Sequence, residues 1–186
     1  MRRICVYCGS STGAHAGYAE AAIELADTLV RHDYELVYGG ASRGIMGILA
    51  DAVLERGGKV HGVIPKMLVD REIAHSGLTE LHVVTSMHER KSMMAALADG
   101  FIALPGGFGT LEELIEILTW AQLRYHDKPC GVINVRGYFD GLLAYLDQAV
   151  GEGFLRPENR RLLLASDTPA GLIGEFERVS VPRLGR

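Results

Sequence analysis

The stretch Phe101-Ile102-Ala103-Leu104-Pro105-Gly106-Gly107-Phe108-Gly109-Thr110-Leu111-Glu112-Glu113 decides the fold. Its first four residues form an apolar run that predicts a buried strand, and apolar residues at helical spacing continue from position 111 to about 123. The loop between them carries three glycines, which let the backbone approach a ligand closely. A strand, a glycine loop and a helix in this order direct backbone N–H groups and the positive end of the helix dipole at an anion. The stretch therefore predicts a phosphate site with the Glu113 carboxylate beside it.

Predicted strands and helices alternate along the whole chain. The strands are predicted at residues 4–7, 36–38, 59–64, 81–84, 101–104, 132–135 and 162–165. The helices are predicted at residues 18–31, 45–56, 86–99, 111–123, 139–150 and 170–176, with residues 66–79 irregular. The strands are continuous apolar runs, as in parallel sheets covered on both faces. This alternation, without a repeat or a linker, predicts one α/β domain over residues 1–186, a doubly wound, Rossmann-like parallel sheet flanked by helices.

Glycine-rich loops follow three of the predicted strands, at residues 9–13, 39–44 and 105–109. In a parallel α/β sheet ligands bind outside the carboxyl ends of the strands, so all three loops are expected at one edge. A single glycine cluster is commonly a tight turn, but three at one edge favour a phosphate site. Because no G-x-G-x-x-G follows the first strand, a mononucleotide is favoured over a dinucleotide.

The composition is that of an ordinary soluble globular protein, with 48% hydrophobic and 23% charged residues. A net charge of −4 and the lack of a basic run argue against nucleic acid as a partner. No apolar run approaches the roughly 18 residues that span a membrane, and the N-terminus does not resemble a signal peptide. Cys5, Cys8 and Cys130 are expected to be buried thiols in a reducing compartment. We therefore expect a cytoplasmic protein without membrane contact.

Neither a metal nor an organic cofactor is predicted. The seven histidines form no H-E-x-x-H motif, and His88-Glu89 is followed by no second ligand at the right spacing. The four lysines, at positions 59, 66, 91 and 128, lie in no recognisable pyridoxal phosphate motif.

Arg90 lies on the apolar stripe of its predicted helix, because Met93, Met94 and Leu97 follow it at helical spacing. A buried guanidinium needs an anion or a carboxylate as its partner. That partner belongs either to a ligand site or to an ordinary structural ion pair. Lys91 is turned by about 100° around the helix axis and is expected at the rim of the site.

Glu113 has two interpretations. Thr110 and Glu113 have the T-x-x-E spacing of a capping box, in which the glutamate only bonds to an N–H group of its own helix terminus. Glu112 likewise suits the positive end of a helix. The same turn offers the anion site, so the sequence leaves capping and catalysis open. A further capping box is predicted at Ser86 and Glu89.

Several segments together resemble the LOG (Lonely Guy) family, the cytokinin riboside 5′-monophosphate phosphoribohydrolases. They are Pro105-Gly106-Gly107-x-Gly109-Thr110-x-x-Glu113, Arg90-Lys91, Cys8-Gly9-Ser10, Tyr38-Gly39-Gly40, Gly44-Ile45-Met46-Gly47 and Thr119-Trp120-Ala121-Gln122-Leu123. The resemblance implies hydrolysis of the N-glycosidic bond of an N6-modified adenosine 5′-monophosphate, or of AMP. The products would be the free base, a cytokinin or adenine, and ribose 5-phosphate. An older label for such sequences is lysine decarboxylase.

The resemblance also implies roles for individual residues. Arg90 and Glu113 would be the catalytic pair. The substrate-binding residues would be Gly9, Ser10, Gly40, Glu72, Lys91, Gly106, Gly107, Phe108, Gly109, Thr110, Leu111, Glu112 and Thr119. One departure concerns the second glycine loop, where Ala41 replaces the third of three consecutive glycines and Arg43 follows, which leaves the preferred base open. A non-catalytic nucleotide sensor or carrier of the same fold is the alternative function.

The predicted helix at residues 111–123 is apolar around much of its circumference. Its apolar residues include Leu114, Ile115, Leu118, Trp120 and Ala121. Such a helix is covered either by its own domain or by a partner. Because the resemblance implies a homodimer, we predict that two copies pack partly through this helix.

Overall fold

The computed structural model describes residues 1–69 and 74–179, and its centre is a single parallel sheet. The seven strands are β1 (Arg3–Tyr7), β2 (Glu35–Tyr38), β3 (Val60–Pro65), β4 (Glu80–Val84), β5 (Gly100–Ala103), β6 (Cys130–Ile133) and β7 (Leu163–Ser166). They lie in the order β4-β3-β2-β1-β5-β6-β7, and every neighbouring pair is parallel. The predicted parallel α/β sheet is confirmed, and each strand lies within two residues of its predicted bounds.

Helices connect the strands. They are α1 (Ala16–Arg31), α2 (Gly44–Glu55), α3 (Lys66–Val69), α4 (Met87–Leu97), α5 (Phe108–Gln122), α6 (Asp140–Gly151), α7 (Pro157–Arg160) and α8 (Pro169–Val179), with a 3₁₀ turn at Val135–Gly137. The prediction missed α3 and α7 because a single turn is too short to show a hydrophobic period. Within the segment predicted as irregular, residues 66–69 form α3 and Ala74 pairs with Ala41 in an isolated bridge, while residues 70–73 lie outside the described residues.

The sheet has a hydrophobic core on each face. Strand β5 shows the alternation, because Ile102 belongs to one core and Phe101 to the other. The first core is completed by side chains such as Leu25, Leu49 and Phe176 from α1, α2 and α8. The second core contains Met94, Leu114 and Phe139, from α4, from α5 and from the residue before α6. Helices thus cover both faces, as the doubly wound prediction requires.

The strand order reverses at β1, which lies between β2 and β5. A reversal of this kind leaves a crevice at the carboxyl ends of the strands, because the following helices go to opposite faces. The loops after β1 and β5 meet there, and the N–H of Gly9 donates to the carbonyl oxygen of Pro105 at 3.2 Å. The glycine loops are therefore brought to one edge of the sheet, as predicted.

Three further observations concern predictions made from composition and from helix termini. Cys5, Cys8 and Cys130 are buried free thiols, and burial raises the pKa of Cys130 to about 12. In the described part of the chain, none of the helices has the length and apolar character needed to cross a bilayer. The predicted capping box at α4 is half correct: the N–H of Glu89 donates to Ser86 Oγ at 3.1 Å, but the Glu89 carboxylate accepts from the N–H of Thr85.

Candidate active site

A cavity of about 240 Å³ lies at the carboxyl edge of the sheet. It is lined by Val6, Tyr7, Cys8, Gly9, Ser10, Gly39, Met46, Met87, Arg90, Gly107, Phe108, Gly109, Thr110, Glu112 and Glu113. A second cavity of about 290 Å³ adjoins it and shares the lining residues Gly9, Ser10 and Gly107. The two cavities together provide a divided cleft at the point where ligands bind in this class of sheet.

Arg90 and Glu113 form a buried ion pair in the wall of the first cavity. Arg90 Nη1 donates to Glu113 Oε1 at 2.5 Å, and each residue is only 8% exposed. Arg90 Nε donates to the carbonyl oxygen of Val63 at 3.0 Å, which fixes the plane of the guanidinium. The predicted inward orientation of Arg90 is confirmed, and its carboxylate partner comes from α5.

Gly39 provides the space that Arg90 occupies. A Cβ atom built on Gly39 would lie 2.1 Å from Arg90 Nη2 and 3.1 Å from Met46 Sδ. No side chain can be accommodated at such a distance from a guanidinium held on two sides. The glycine at the end of β2 is therefore required by the arginine, a role that the sequence did not reveal.

The start of α5 excludes the capping interpretation of Glu113. The N-cap is Gly107 and the helix begins at Phe108, so Thr110 is already inside the first turn and cannot be the N-cap of a capping box. The Glu113 carboxylate accordingly bonds to Arg90 and not to its own helix terminus. The alternative that the sequence left open is wrong, because the helix begins three residues earlier than the box requires.

Burial determines the electrostatics of Glu113. Loss of solvation disfavours the carboxylate and raises the pKa of Glu113 above its ordinary value, although Arg90 opposes the shift by its charge and its hydrogen bond. A carboxyl whose pKa lies above the normal range, in the wall of a cleft, is typical of groups that exchange protons or stabilise positive charge during a reaction.

The N-terminus of α5 is open to a ligand. Helix geometry leaves the N–H groups of Phe108, Gly109 and Thr110 without acceptors inside the helix. Cβ atoms built on Gly107 and Gly109 would meet nothing within 4 Å, so the backbone is accessible there. Gly106 is the opposite case, since its Cβ would lie 2.1 Å from Thr110 Oγ1. The loop is thus closely packed underneath and open on the side of the cavity, as an anion site requires.

Lys91 lies behind this terminus and pairs with two acidic residues of α5. Its ammonium contacts Glu112 in a short hydrogen bond and Glu116 Oε2 at 3.0 Å. The hydrogen bond with Glu112 is the main reason that the pKa of Lys91 is raised. Because Glu112 lines the cavity, Lys91 reaches the site through that residue.

Four of the predicted substrate-binding residues lie elsewhere or cannot be placed. Gly40 has φ +76°, and its carbonyl oxygen accepts from the N–H of His75, away from the cavity lining. Leu111 packs against the second core. Thr119 is exposed and donates to the carbonyl oxygen of Ile115 in its own helix at 2.8 Å. Glu72 lies outside the described residues.

Tyr138 is a lining residue that the sequence analysis missed. Its hydroxyl donates to the carbonyl oxygen of Gly106 at 2.6 Å, and its ring lies in the wall of the second cavity beside Tyr18. The available signal was its position in the loop after β6, at the same edge as the glycine loops. Ala41, the departure in the second loop, is 5% exposed and lines neither cavity.

The fold and the site define a class: a parallel α/β protein with an accessible helix N-terminus in its cleft and a buried carboxylate–guanidinium pair beside it. A family model described as "possible lysine decarboxylase" matches residues 46–176. The chain is 51% identical to the "cytokinin riboside 5'-monophosphate phosphoribohydrolase LOG" of Oryza sativa subsp. japonica over 177 residues, covering 95% of this chain and 73% of that protein. The chain belongs to this family.

A second relative and two solved structures agree with this assignment. The chain is 50% identical to "cytokinin riboside 5'-monophosphate phosphoribohydrolase LOG1" of Arabidopsis thaliana, over 98% of this chain and 85% of that protein. The Moco carrier protein of Chlamydomonas reinhardtii has the same fold, with a TM-score of 0.72 at 20% identity over 96% of each chain. The molybdenum cofactor binding protein of Rippkaea orientalis gives 0.73 at 19% identity, over 97% of this chain and 98% of that one. At these identities the two structures support the fold alone.

Proposed function

We propose that this protein hydrolyses the N-glycosidic bond of adenosine 5′-monophosphate or of its N6-modified forms. The observation that carries the proposal is the buried Arg90–Glu113 pair, which lies in one cavity wall with the open N-terminus of α5. Relatives at about half sequence identity carry the name phosphoribohydrolase, which supports the same chemistry. The oxygen of a water molecule would bond to C1′ of the ribose while the bond from C1′ to the base breaks, and the proton that the water loses balances the proton that the departing base gains.

The substrate phosphate belongs at the start of α5. The free N–H groups of Phe108, Gly109 and Thr110 and the helix dipole favour a dianion at this position. The phosphate does not react, but its binding energy would hold the sugar next to the Glu113 carboxylate. Ser10, which lies in the wall shared by the two cavities, has a hydroxyl that can support the same group.

Glu113 and Arg90 would be the residues that act on the ribosyl–base bond. Cleavage of a ribosyl–base bond develops positive charge on the sugar, which a nearby carboxylate stabilises while it orients or deprotonates water. Arg90 remains protonated and cannot act as a base. Its role is to hold the Glu113 carboxylate in one orientation. Its positive charge also favours the ionised form of Glu113, against the effect of burial.

Glu113→Gln tests the catalytic assignment. The amide has the same shape and can still accept from Arg90, but it carries no charge and takes up no proton. We expect kcat for AMP to fall by about 10²–10⁴-fold, the usual contribution of such a group. The measurement is adenine release, followed by chromatography.

The matched control is Glu116→Gln, the same change one turn further along α5 at a residue that lines neither cavity. This control should retain activity. If Glu113→Gln retains near-normal hydrolysis, the proposed role of Glu113 is wrong. Wild-type protein that binds AMP without releasing adenine would instead be a carrier or sensor.

The description of the family model raises lysine decarboxylation as another possibility. That chemistry uses a lysine that forms a Schiff base with pyridoxal phosphate. Among the described residues, none of the lysines lines either cavity of the cleft. Lys91 is engaged by Glu112 and Glu116, and Lys128 Nζ donates to the carbonyl oxygen of Ala95 at 2.8 Å. The site therefore favours hydrolysis.

We propose further that the protein is a cytoplasmic homodimer. Buried free thiols suit a reducing compartment. Apolar side chains near the C-terminal end of α5 remain exposed in the single chain, with Leu123 at 56% and Tyr125 at 76%. An apolar groove of about 440 Å³ lies beside them, between α4 and α5, and includes Trp120. Burial of this face by a second copy would remove it from water.

Light scattering tests the dimer. We expect a mass of twice the 20.2 kDa chain. Leu123→Lys, a charge on the proposed interface, should shift the mass towards the monomer because an unpaired charge is costly to bury. Val179→Lys changes a residue of similar exposure on α8 and is the control. A monomeric wild-type mass would contradict the proposal.

A further inference from the structure

A cluster of histidine and glutamate side chains lies at the end of the sheet opposite to the cleft. His61 is the second residue of β3, and Glu80 and His82 are the first and third residues of β4. In the strand register His61 is paired with Glu80. Strand β4 is an edge strand, so the cluster joins an edge strand to its only neighbour in the sheet.

The ligand atoms of this cluster are already close to one another. His61 Nδ1 lies 3.2 Å from Glu80 Oε2, and His82 Nε2 lies 3.5 Å from the same oxygen. All three atoms lie within 4.8 Å of one another. A tetrahedral Zn²⁺ with bonds of about 2.0–2.1 Å separates its ligand atoms by roughly 3.3 Å. Two of the three separations therefore match the geometry of a metal site.

The other ring nitrogen of His61 is held by a carboxylate. His61 Nε2 lies 2.9 Å from Glu35 Oε2, and Arg3 Nε donates to the same carboxylate at 2.8 Å. A carboxylate accepts hydrogen bonds, so Nε2 is the ring nitrogen that donates to Glu35. Nδ1 is the ring nitrogen that faces Glu80. Metal-binding histidines are commonly oriented by a carboxylate in this way.

Within the residues that the structure describes, one ring nitrogen of the cluster is unsatisfied, which points to a cation as its partner. In the described part of the chain, His82 Nε2 is a buried polar atom without a hydrogen-bond partner. It faces the Glu80 carboxylate, which in turn faces His61 Nδ1. A metal ion between these atoms would give His82 Nε2 the partner that it lacks among the described residues. Two imidazoles and a carboxylate are a ligand set suited to zinc and its first-row neighbours.

We propose that His61, Glu80 and His82 bind one Zn²⁺ ion, with a water molecule as the fourth ligand. The Glu80 side chain is 54% exposed, so the ion can reach the site from solvent. The ion would connect β4 to β3 at the strand ends remote from the cleft. Its role is therefore structural, and it stabilises the edge strand without taking part in the reaction. The sequence motifs for zinc fail here because the ligands come from two strands.

Calorimetric titration of the metal-stripped full-length protein with ZnCl₂ tests this site. We expect one equivalent per chain in the wild type. Glu80→Gln and His82→Ala should each weaken Zn²⁺ binding by about tenfold or more. His88→Ala removes an exposed histidine that is not part of the cluster and should leave the affinity unchanged. Affinity that is equal in wild type and His82→Ala would overturn the proposal, as would no binding at all.

Thermal unfolding gives a second readout that does not depend on catalysis. Added Zn²⁺ should raise the Tm of the wild type and of His88→Ala, because an ion that binds only the folded state stabilises it. At the same Zn²⁺ concentration the increase should be clearly smaller in Glu80→Gln, which changes an exposed side chain and is expected to fold. If the wild-type Tm does not respond to Zn²⁺, the metal site is refuted.

Discussion

Two side chains that are distant in sequence form a buried ion pair in the wall of the cleft. Arg90 and Glu113 are each almost fully removed from water, which is costly for charged groups unless they are paired and hydrogen-bonded. The pair meets this condition through its mutual bond and through the carbonyl oxygen of Val63. The sequence predicted the burial of Arg90 from its helical spacing. The family resemblance paired it with Glu113, but the spacing of residues alone could not, because that contact depends on how α4 and α5 pack.

The raised pKa of Glu113 predicts the pH dependence of the reaction. Burial favours the protonated acid, so the catalytic carboxylate is lost as the pH falls through a value above the ordinary glutamate pKa of about 4.3. The acidic limb of kcat/KM for AMP should therefore have its midpoint above that value. Because Arg90 opposes the shift, Arg90→Gln should move the midpoint further upward. A limb at or below the ordinary value would contradict the assignment.

Gly39→Ala tests whether Arg90 needs the space that the missing side chain of Gly39 leaves after β2. The added methyl would overlap Arg90 Nη2 and displace the guanidinium from Glu113. We expect kcat/KM for AMP to fall by at least about tenfold, since small displacements at a site are costly. Gly174→Ala, on α8 with nothing within 4 Å of its Cβ, is the matched control and should preserve activity. Normal activity in Gly39→Ala would show that Arg90 tolerates displacement.

At the level of elements, α4 and α5 determine where the pair forms. Helix α4 begins at a serine cap that orients its first turn, and Arg90 follows within that turn. Helix α5 begins at Phe108 after the N-cap Gly107, and this start sets the rotation that places Glu113 in the cavity wall. Long elements with a clear hydrophobic period were predicted well from the sequence. The T-x-x-E spacing at α5 could not distinguish a capping box from residues inside a helix, because both can have the same sequence.

Ser86→Ala should destabilise the protein through α4. The Ser86 hydroxyl accepts the N–H of Glu89, and loss of such a cap costs about 1 kcal/mol of unfolding free energy. Urea unfolding followed by circular dichroism measures the change. Ser92→Ala makes the same substitution inside α4, where alanine is the better helix former, and should not destabilise. Equal stability of Ser86→Ala and wild type would show that the cap contributes nothing.

For the whole molecule, the sequence determined the architecture more fully than the site. Buried parallel strands are continuous apolar runs, so all seven were found, and the edge where the glycine loops meet followed from the fold class. What remained hidden depends on tertiary contacts: the space that Gly39 leaves for Arg90, the Tyr138 hydroxyl on Gly106, and the cluster around His61. The family was recognised from spaced motifs and is confirmed by relatives at about half identity.

The anchoring of the Arg90 guanidinium to the main chain of β3 has a consequence for turnover. Its Nε is bonded to a strand that is buried along its whole length, so the cation stays in place when the charge of its acidic neighbour changes. In the proposed reaction this anchor would keep the electrostatic field at the cleft nearly constant during bond cleavage, which lowers the cost of reorganising the site.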